Sequence, residues 1–231
     1  MTGPSRDVPH YTEDEQRRLA LNLAELLEQI HAGKLLDRHA TLDLLCFLHR
    51  SLFNGVRDHA GQIRRPGFGS EYLWFGPNRS YRHTEVANRL LDIFAELQKA
   101  IASFDRAPDA PLYEESALTL AAWLHAEVIH VHPFEDGNGR TTRALMNWVL
   151  VRVGLRPIAV EAVRQEYLNC LNHFYAHGDR QPLVDLLIRL YPGTSVTTSN
   201  PAIRGRRKTG HRAGAQGEGD VARPLLATQG V

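Results

Sequence analysis

Cysteine is scarce in this chain of 231 residues, which contains only Cys46 and Cys170. Both lie in segments whose apolar residues recur at helical spacing, where a free thiol behaves as a small buried hydrophobe. Two such positions do not build the disulfide framework that stabilises small secreted proteins. We therefore expect a protein of a reducing compartment, and a cytoplasmic location fits this expectation.

Long apolar runs and an excess of one charge are also missing. No stretch of about 18 consecutive apolar residues occurs, and the N-terminus is polar and acidic rather than signal-like. The formal net charge of +1 argues against general electrostatic attraction to nucleic acid or to a membrane. We expect a soluble protein with no membrane partner and no specific nucleic-acid partner, whose composition, 43% hydrophobic, allows a sizeable core.

Apolar residues at helical spacing predict seven helices. The first begins after Thr12, carries Leu19, Leu23 and Leu26 on one face, and stops around Gly33. The others are predicted over about 41–53, 84–104, 113–130, 138–153, 160–177 and 180–191. Residues 55–82 are rich in glycine, proline and aromatic residues, which predicts an irregular segment with at most one short hairpin. The predicted fold is all-α with this one exception.

The most informative stretch is HPFEDGNGRTTR, from His132 to Arg143. It lies between two helical patterns, so it predicts a loop that enters a helix at its N-terminus. The first N–H groups of a helix have no internal partner and carry the positive end of the helix dipole, so they bind anions. Gly137 and Gly139 can adopt a positive φ and let a phosphate approach, and Asn138 offers an amide donor.

Four charged or titratable residues complete this predicted anion cradle. Arg140 and Arg143 fall on one helix face, where guanidinium groups suit phosphate oxygens. Asp136 beside them suits a Mg²⁺ ion that bridges the same phosphates, and His132 can accept a proton near neutral pH. A base, a metal and a phosphate clamp together predict transfer of a phosphoryl-type group onto a hydroxyl.

A zinc site fits the histidines poorly. His125 and His130 are five residues apart, and the chain has no His-Glu-x-x-His pattern. We expect these two histidines to lie in the core or to support the loop.

The HPFEDGNGRTTR stretch resembles the signature of Fic-domain proteins, His-Pro-Phe-x-Asp-Gly-Asn-Gly-Arg-x-x-Arg, at every fixed position. The resemblance implies a Fic-type helical bundle with a short β-hairpin flap. It implies a protein adenylyltransferase, a nucleotidyltransferase that moves AMP from ATP to a side-chain hydroxyl of a target protein and releases pyrophosphate. His132 would be the catalytic base, and Asp136 would hold Mg²⁺. The nucleotide would be bound by Gly137, Asn138, Gly139, Arg140 and Arg143.

The resemblance also predicts where a target protein binds. Fic enzymes hold their targets with the flap, to which an extended segment adds as a strand. Ile63, Arg64 and Arg65 are the predicted target-binding flap residues. Tyr167 is predicted to pack in the core, with stacking on adenine as the alternative. Asn147 is suited to a hydrogen bond with either a ligand or the backbone.

Three segments are predicted along the chain. Residues 1–40 form an N-terminal helical extension, and residues 41–192 form the Fic catalytic domain. Residues 193–231, rich in glycine, threonine, serine and alanine, predict a disordered tail. The basic run within the tail is expected to be solvated.

A regulatory motif of the family is missing. Many members carry Ser/Thr-x-x-x-Glu-Gly/Asn, whose glutamate pairs with the second arginine, but no Ser or Thr of this chain has Glu four residues later. This predicts either a separate small inhibitory protein, as in a toxin–antitoxin pair, or another form of regulation. Two other functions stay open: transfer of a different phosphate-containing group, from another nucleotide or a CDP-linked donor, and an inactive binding module.

Overall fold

A computed structural model describes residues 11–75, 77–160 and 163–191. The helices in these ranges are α1 (Glu13–His31), α2 (Leu42–Phe53), α3 (Val86–Arg106), α4 (Tyr113–Val131), α5 (Asn138–Arg152), α6 (Arg164–His177) and α7 (Gln181–Leu190). Two short strands, β1 (Trp74–Phe75) and β2 (Asn78–Arg79), pair antiparallel and form the flap hairpin. The predicted all-α fold with one short hairpin is confirmed. The predicted tail, residues 193–231, lies outside the described residues.

A capping box fixes the start of α1. The backbone N–H of Glu15 donates to Oγ1 of Thr12 at 3.2 Å, and the backbone N–H of Thr12 donates to the Glu15 carboxylate at 2.8 Å. These two bonds satisfy backbone donors that a helix start leaves without partners. The buried face of α1, with Leu26 and Ile30, packs against α2 and α5. The predicted N-terminal extension therefore shares the core of the bundle.

Helices α4 and α5 form the centre of the bundle. From Ala117 onward α4 is buried along most of its length, and it contacts α3, α5, α6 and α7. A helix without a polar face needs partners on all sides, which explains its central place. Trp148 of α5 is buried, and its indole N–H donates to the carbonyl of Leu35 at 2.9 Å. None of the described helices is both long and apolar enough to cross a membrane.

Helix α6 begins about four residues later than predicted. Residues 155–160 have no regular secondary structure, and the side chain of Asn147 bonds to Ile158 among them: Nδ2 donates to the carbonyl of Ile158 at 3.1 Å, and Oδ1 accepts from the N–H of Ile158 at 2.9 Å. Both backbone groups of Ile158 are therefore bonded to a side chain. Asn147, whose sequence position allows a ligand or a backbone role, takes the backbone role.

Candidate active site

The candidate site is the loop of residues 132–137, at which α4 ends and α5 begins. His132 closes α4 with a φ of 53°, and Gly137 precedes α5 with a φ of 73°. A positive φ is uncommon for a residue other than glycine and costs of the order of 1–3 kcal/mol. This turn brings His132 and the N-terminus of α5 to one cavity of about 280 Å³. The positive end of the α5 dipole therefore lies at the same cavity as the imidazole.

The two glycines of the loop and helix start differ in their backbone. Gly137 lies against the ring of Phe53, which a Cβ at this position would overlap. Gly139 lies in the first turn of α5 and has no positive φ. Of the two glycines for which the sequence allows a positive φ, only Gly137 adopts it. A Cβ on Gly139 would lie 3.2 Å from Nη1 of Arg143. Glycine at this position therefore leaves room for the guanidinium group.

The side chain of Asn138 holds the loop together. Its Nδ2 donates to the carbonyl of Phe134 at 2.7 Å, and its Oδ1 accepts from the N–H of Phe134 at 2.9 Å. The side chain is buried, and both ends of the amide are engaged. If Asn138 binds a nucleotide, it therefore does so through its backbone N–H, at the first position of α5, and not through its side chain.

His132 is oriented by two contacts. Its Nδ1 lies 3.1 Å from the carbonyl oxygen of Ile129. Because a carbonyl only accepts, Nδ1 carries the proton of the neutral ring, and Nε2 keeps its lone pair. The ring stacks on Phe75 of β1, with centroids 4.4 Å apart and planes inclined by 1°. The imidazole is thus placed to accept a proton at Nε2, and the flap hairpin touches it directly.

His49 of α2 supports the loop from outside the motif. It is buried and stacks between Phe53 and Phe134, with centroid distances of 4.6 and 3.8 Å. Its Nδ1 accepts from the N–H of Gly61 at 2.8 Å, so Nε2 carries the proton and donates to the carbonyl of Asp136 at 3.1 Å. Burial lowers the pKa of His49 to about 4, and the ring is neutral near pH 7 as this pattern requires. The sequence has no chemical signal for this role, because a single histidine in an apolar helix resembles any core histidine.

The Asp136 carboxylate lines the cavity and has two partners. Its Oδ1 accepts from the N–H of Gly137 at 2.6 Å, and its Oδ2 accepts from the hydroxyl of Tyr11. Nη1 of Arg140 donates to the same hydroxyl at 3.4 Å. Burial and the hydrogen bond to Asp136 raise the pKa of Tyr11, so the hydroxyl stays protonated and donates. No sequence pattern signals this contact, because its partners are 125 residues apart.

Among the residues that the structure describes, Asp136 is the one acidic residue that lines this cavity. In the described part of the chain, no group of three or more His, Cys, Asp or Glu is arranged to hold a metal ion. Protein sites for Mg²⁺ often supply one or two carboxylates and leave the remaining positions to water and substrate phosphates. A lone carboxylate beside an anion cradle fits this donor set. Asp136 is therefore the residue that would hold Mg²⁺ when phosphates are bound.

Three arginines line the cavity. Arg140 and Arg143 are the predicted pair on α5, and Arg164 at the start of α6 joins them. Arg164 is exposed, and within residues 11–75, 77–160 and 163–191 it has no hydrogen-bond or ion-pair partner. Three guanidinium groups and a helix N-terminus around one carboxylate make a strongly positive site. Its chemistry suits a ligand with several phosphate oxygens.

A second cavity of about 370 Å³ adjoins the first. Arg140 and Arg143 line both cavities, and the other walls of the second include Leu23 and Leu27 of α1 and residues 157–159. Because the two cavities share these arginines, a ligand with a charged part and an apolar part fits across them.

Arg64, a predicted target-binding residue, is buried instead. Its guanidinium donates to the carbonyls of His132 and Ser70, each at 2.9 Å, and to further backbone carbonyls of Glu71, Tyr81 and Val131. Its backbone N–H donates to the carbonyl of Pro133 at 2.8 Å. The side chain therefore joins the loop to the chain on both sides of the flap hairpin, and its burial rules out contact with a target in this conformation.

The other two predicted flap residues lie near the surface. Arg65 is exposed, and its guanidinium lies 5.3 Å from the centroid of Phe68. Ile63 is half-buried and packs against the core. A target-binding role for these two residues stays a prediction.

Tyr167 of α6 lies in the core, where it contacts α4. It is buried, and its hydroxyl lies 2.6 Å from Nε2 of His125. Burial lowers the pKa of His125 to about 4, so this ring is also neutral near pH 7. With Tyr167 packed in this way, the core alternative agrees with the structure, because stacking on adenine needs an exposed ring face.

Comparison with known sequences shows similarity to one family. Residues 39–150 match the model of the Fic/DOC family. A protein adenylyltransferase Fic of Nematostella vectensis is 40% identical over 76 residues, which are 31% of this chain and 17% of that protein. A protein adenylyltransferase fic-1 of Caenorhabditis elegans is 37% identical over 102 residues, which are 38% of this chain and 20% of that protein. The chain thus spans about a fifth or less of these curated relatives.

Solved structures share the fold. A C. elegans Fic-1 fragment superposes with a TM-score of 0.60 and 22% identity, over 90% of this chain and 54% of that one. The N-terminal FIC domain of Bep8 from Bartonella sp. 1-1C gives 0.64 and 14%, over 85% and 96%. BepC from Bartonella tribocorum, solved with bound AMPPNP, gives 0.62 and 16%, over 82% and 94%. Sequence and fold agree: residues 39–150 match the Fic/DOC family model, and the chain shares the fold of these solved Fic structures.

Proposed function

We propose that this chain is a protein adenylyltransferase, which transfers AMP from ATP to a hydroxyl side chain of a target protein. The observation that carries the proposal is the position of His132, whose Nε2 is the unprotonated nitrogen and whose side chain lines the same cavity as Asp136 and the N-terminus of α5. A base beside a phosphate cradle suits attack of a hydroxyl on phosphorus. The names of the curated relatives support AMP as the group transferred.

In the proposed reaction, Nε2 of His132 accepts the proton of the target hydroxyl while the hydroxyl oxygen bonds to the α-phosphorus of ATP. The bond from the α-phosphorus to the oxygen that bridges to the β-phosphate breaks, and pyrophosphate leaves. The first N–H groups of α5, with Arg140 and Arg143, bind the phosphates and stabilise their charge. Mg²⁺ held by Asp136 would supply further neutralisation of the phosphate oxygens.

Arg164 extends this phosphate site in the proposal. It lines the cavity from α6, whereas the two arginines of the motif come from α5. A phosphate-binding site gains from guanidinium groups on more than one side, because a polyphosphate presents oxygens in several directions. Arg164 is therefore assigned to the bound triphosphate.

A target segment is proposed to bind beside the flap hairpin. Phe75 of β1 stacks on His132, so a segment paired with the hairpin would pass close to the base. Ile63 and Arg65 remain candidates for further contacts. Inhibition by an antitoxin-like protein and a cytoplasmic location also stay predictions.

The function is tested with ATP labelled at either the α- or the γ-phosphate, incubated with the full chain and a cell lysate. Label from the α-phosphate, and not from the γ-phosphate, is expected on target proteins. Replacement His132→Ala should reduce the labelling by about 10²–10⁴-fold, the usual worth of a general base. Exposed His39, in the connection between α1 and α2, offers the matched control His39→Ala, which should leave labelling unchanged.

Several outcomes would contradict this function. Transfer of the γ-label would show phosphate transfer. Labelling that persists in His132→Ala would show that His132 is not the general base. Stronger labelling from α-labelled CTP, GTP or UTP would show that ATP is not the donor.

A further inference from the structure

We propose that Tyr11 is an internal inhibitor of the site, because its phenol occupies the place between Asp136 and Arg140 that a metal-bound phosphate must enter. The identity of that ligand rests on the proposed function. The position of Tyr11 rests on its contacts alone.

The phenol joins two residues of the cavity that a ligand needs. Its hydroxyl donates to Oδ2 of Asp136, and Nη1 of Arg140 donates to the phenol oxygen at 3.4 Å. The guanidinium carbon of Arg140 lies 5.4 Å from the ring centroid. Since Oδ1 of Asp136 accepts from Gly137, each oxygen of the carboxylate already has a protein partner. A metal ion that binds Oδ2 of Asp136, with a phosphate that bridges this ion and Nη1 of Arg140, would compete with the phenol for the space between these two atoms.

The start of α1 holds Tyr11 in this place. Tyr11 directly precedes Thr12, the N-cap of α1, and Nε2 of Gln16 donates to its carbonyl at 3.1 Å. Arg57 lies 4.4 Å over the ring and pairs with Glu15 at 2.6 Å. The same Glu15 forms the capping box, so the position of the phenol is coupled to the first turn of the helix. Rotation of one half-buried side chain, or fraying of that turn, opens the site.

This device differs from the inhibitory glutamate motif that the sequence lacks. It acts on the carboxylate proposed to hold the metal and on the first arginine of the motif, through a neutral side chain. Ligand affinity is reduced by the fraction of molecules in which Tyr11 is withdrawn. A hydrogen bond to a charged group changes such an equilibrium roughly tenfold to a hundredfold.

The test uses inorganic pyrophosphate with Mg²⁺ as the probe, titrated calorimetrically into the full chain. Tyr11→Phe removes the hydroxyl and keeps the ring, and it should bind the probe at least about fivefold more tightly than wild type. The matched control is Tyr113→Phe, which loses one hydroxyl bond, to the carbonyl of Val153 at 2.8 Å. That bond lies at the opposite end of α5, about 20 Å from the site at 1.5 Å per residue, and affinity should not change. In an Asp136→Ala background, the gain from Tyr11→Phe should disappear.

A second measurement needs no variant. In the wild-type chain, nuclear Overhauser contacts between the Tyr11 ring and the Arg140 side chain should vanish when the probe saturates the site. The proposal is overturned if these contacts persist, if Tyr11→Phe binds within twofold of wild type or more weakly, or if no form of the chain binds the probe.

The proposed function fails separately, in the labelling assay. A chain whose affinity rises in Tyr11→Phe but which never transfers AMP keeps the Tyr11 inhibitor and loses the adenylyltransferase activity. If the chain transfers AMP but Tyr11→Phe does not change the affinity for pyrophosphate, the adenylyltransferase activity stands and the Tyr11 inhibitor is rejected.

Discussion

At the scale of single residues, the motif divides into side chains that face the cavity and side chains that build the loop. His132, Asp136 and Arg140 line the cavity, whereas Phe134 is buried and Asn138 bonds to its backbone. The proposed phosphate site therefore combines side-chain cations with backbone N–H groups of α5, whose positions depend on the buried part of the motif. Substitution of a loop-building residue is expected to impair binding without removing any contact to a ligand.

Arg164 provides a residue-scale prediction. Arg164→Ala should weaken ATP binding by about tenfold or more, because a hydrogen bond between charged groups contributes roughly 1.5–3 kcal/mol. Isothermal titration of ATP into the full chain measures the change. Arg106→Ala, at the exposed end of α3, removes the same charge elsewhere and should leave the affinity unchanged. An Arg164→Ala chain that binds ATP within twofold of wild type would show that Arg164 borders the cavity without touching the nucleotide.

At the scale of elements, the flap hairpin and the loop of residues 132–137 form one unit. Arg64 bonds to the loop and to the chain on both sides of the hairpin, at Ser70 and Tyr81, and Phe75 of the hairpin stacks on His132. Ser70 adds a further link, since its backbone N–H and its hydroxyl both donate to the carboxylate of Glu135. A change that loosens the hairpin should therefore also move the proposed base.

Arg64→Lys is the prediction at this scale. Lysine has three donors at one atom and cannot reach the set of carbonyls that the guanidinium fork spans, so a buried charge loses partners. We expect the free energy of unfolding to fall by about 3 kcal/mol or more, measured by urea denaturation. Arg65→Lys is the matched control one residue away, and as an exposed substitution it should cost less than about 0.5 kcal/mol. Equal stability of the two variants would contradict the structural role given to Arg64.

At the scale of the whole molecule, two buried neutral histidines make stability depend on pH. His49 and His125 each have a pKa of about 4, lowered by burial from an ordinary value of 6.5. Between pH 6.5 and about pH 4 the unfolded chain binds protons at these histidines that the folded chain does not, so the free energy of unfolding falls as the pH falls. Each histidine contributes about 3 kcal/mol to this loss. That is a large part of the roughly 5–15 kcal/mol that stabilises a typical domain.

Denaturant unfolding at a series of pH values from 7 to about 4 tests this prediction. The free energy of unfolding should decrease steadily below about pH 6.5, and His125→Gln should reduce the decrease by about 3 kcal/mol, the contribution of one such ring. His39→Gln removes an exposed histidine and should leave the decrease as in wild type. A stability that is constant over this range would mean that the two rings are already protonated in the fold or are hydrated.

Helix periodicity and the composition of residues 55–82 were sufficient to predict the seven helices and the hairpin, because these are local properties of the chain. The main difference in helix bounds is the start of α6, at Arg164 instead of about residue 160. Burial of Arg64 was missed because it depends on contacts between segments that are far apart in the sequence. An arginine in a polar, glycine-rich stretch looks exposed until five backbone carbonyls from three segments converge on it.

The sequence by itself determined the class of fold and the loop at a helix N-terminus, since both follow from residue order over a few turns. Only the tertiary structure decided which groups surround that loop. Tyr11 reaches Asp136 across 125 residues, and Arg164 comes to the cavity from another helix. His49 holds the loop from α2, 87 residues away. Such contacts depend on how the buried faces of separate helices pack together, and a local sequence pattern cannot predict them.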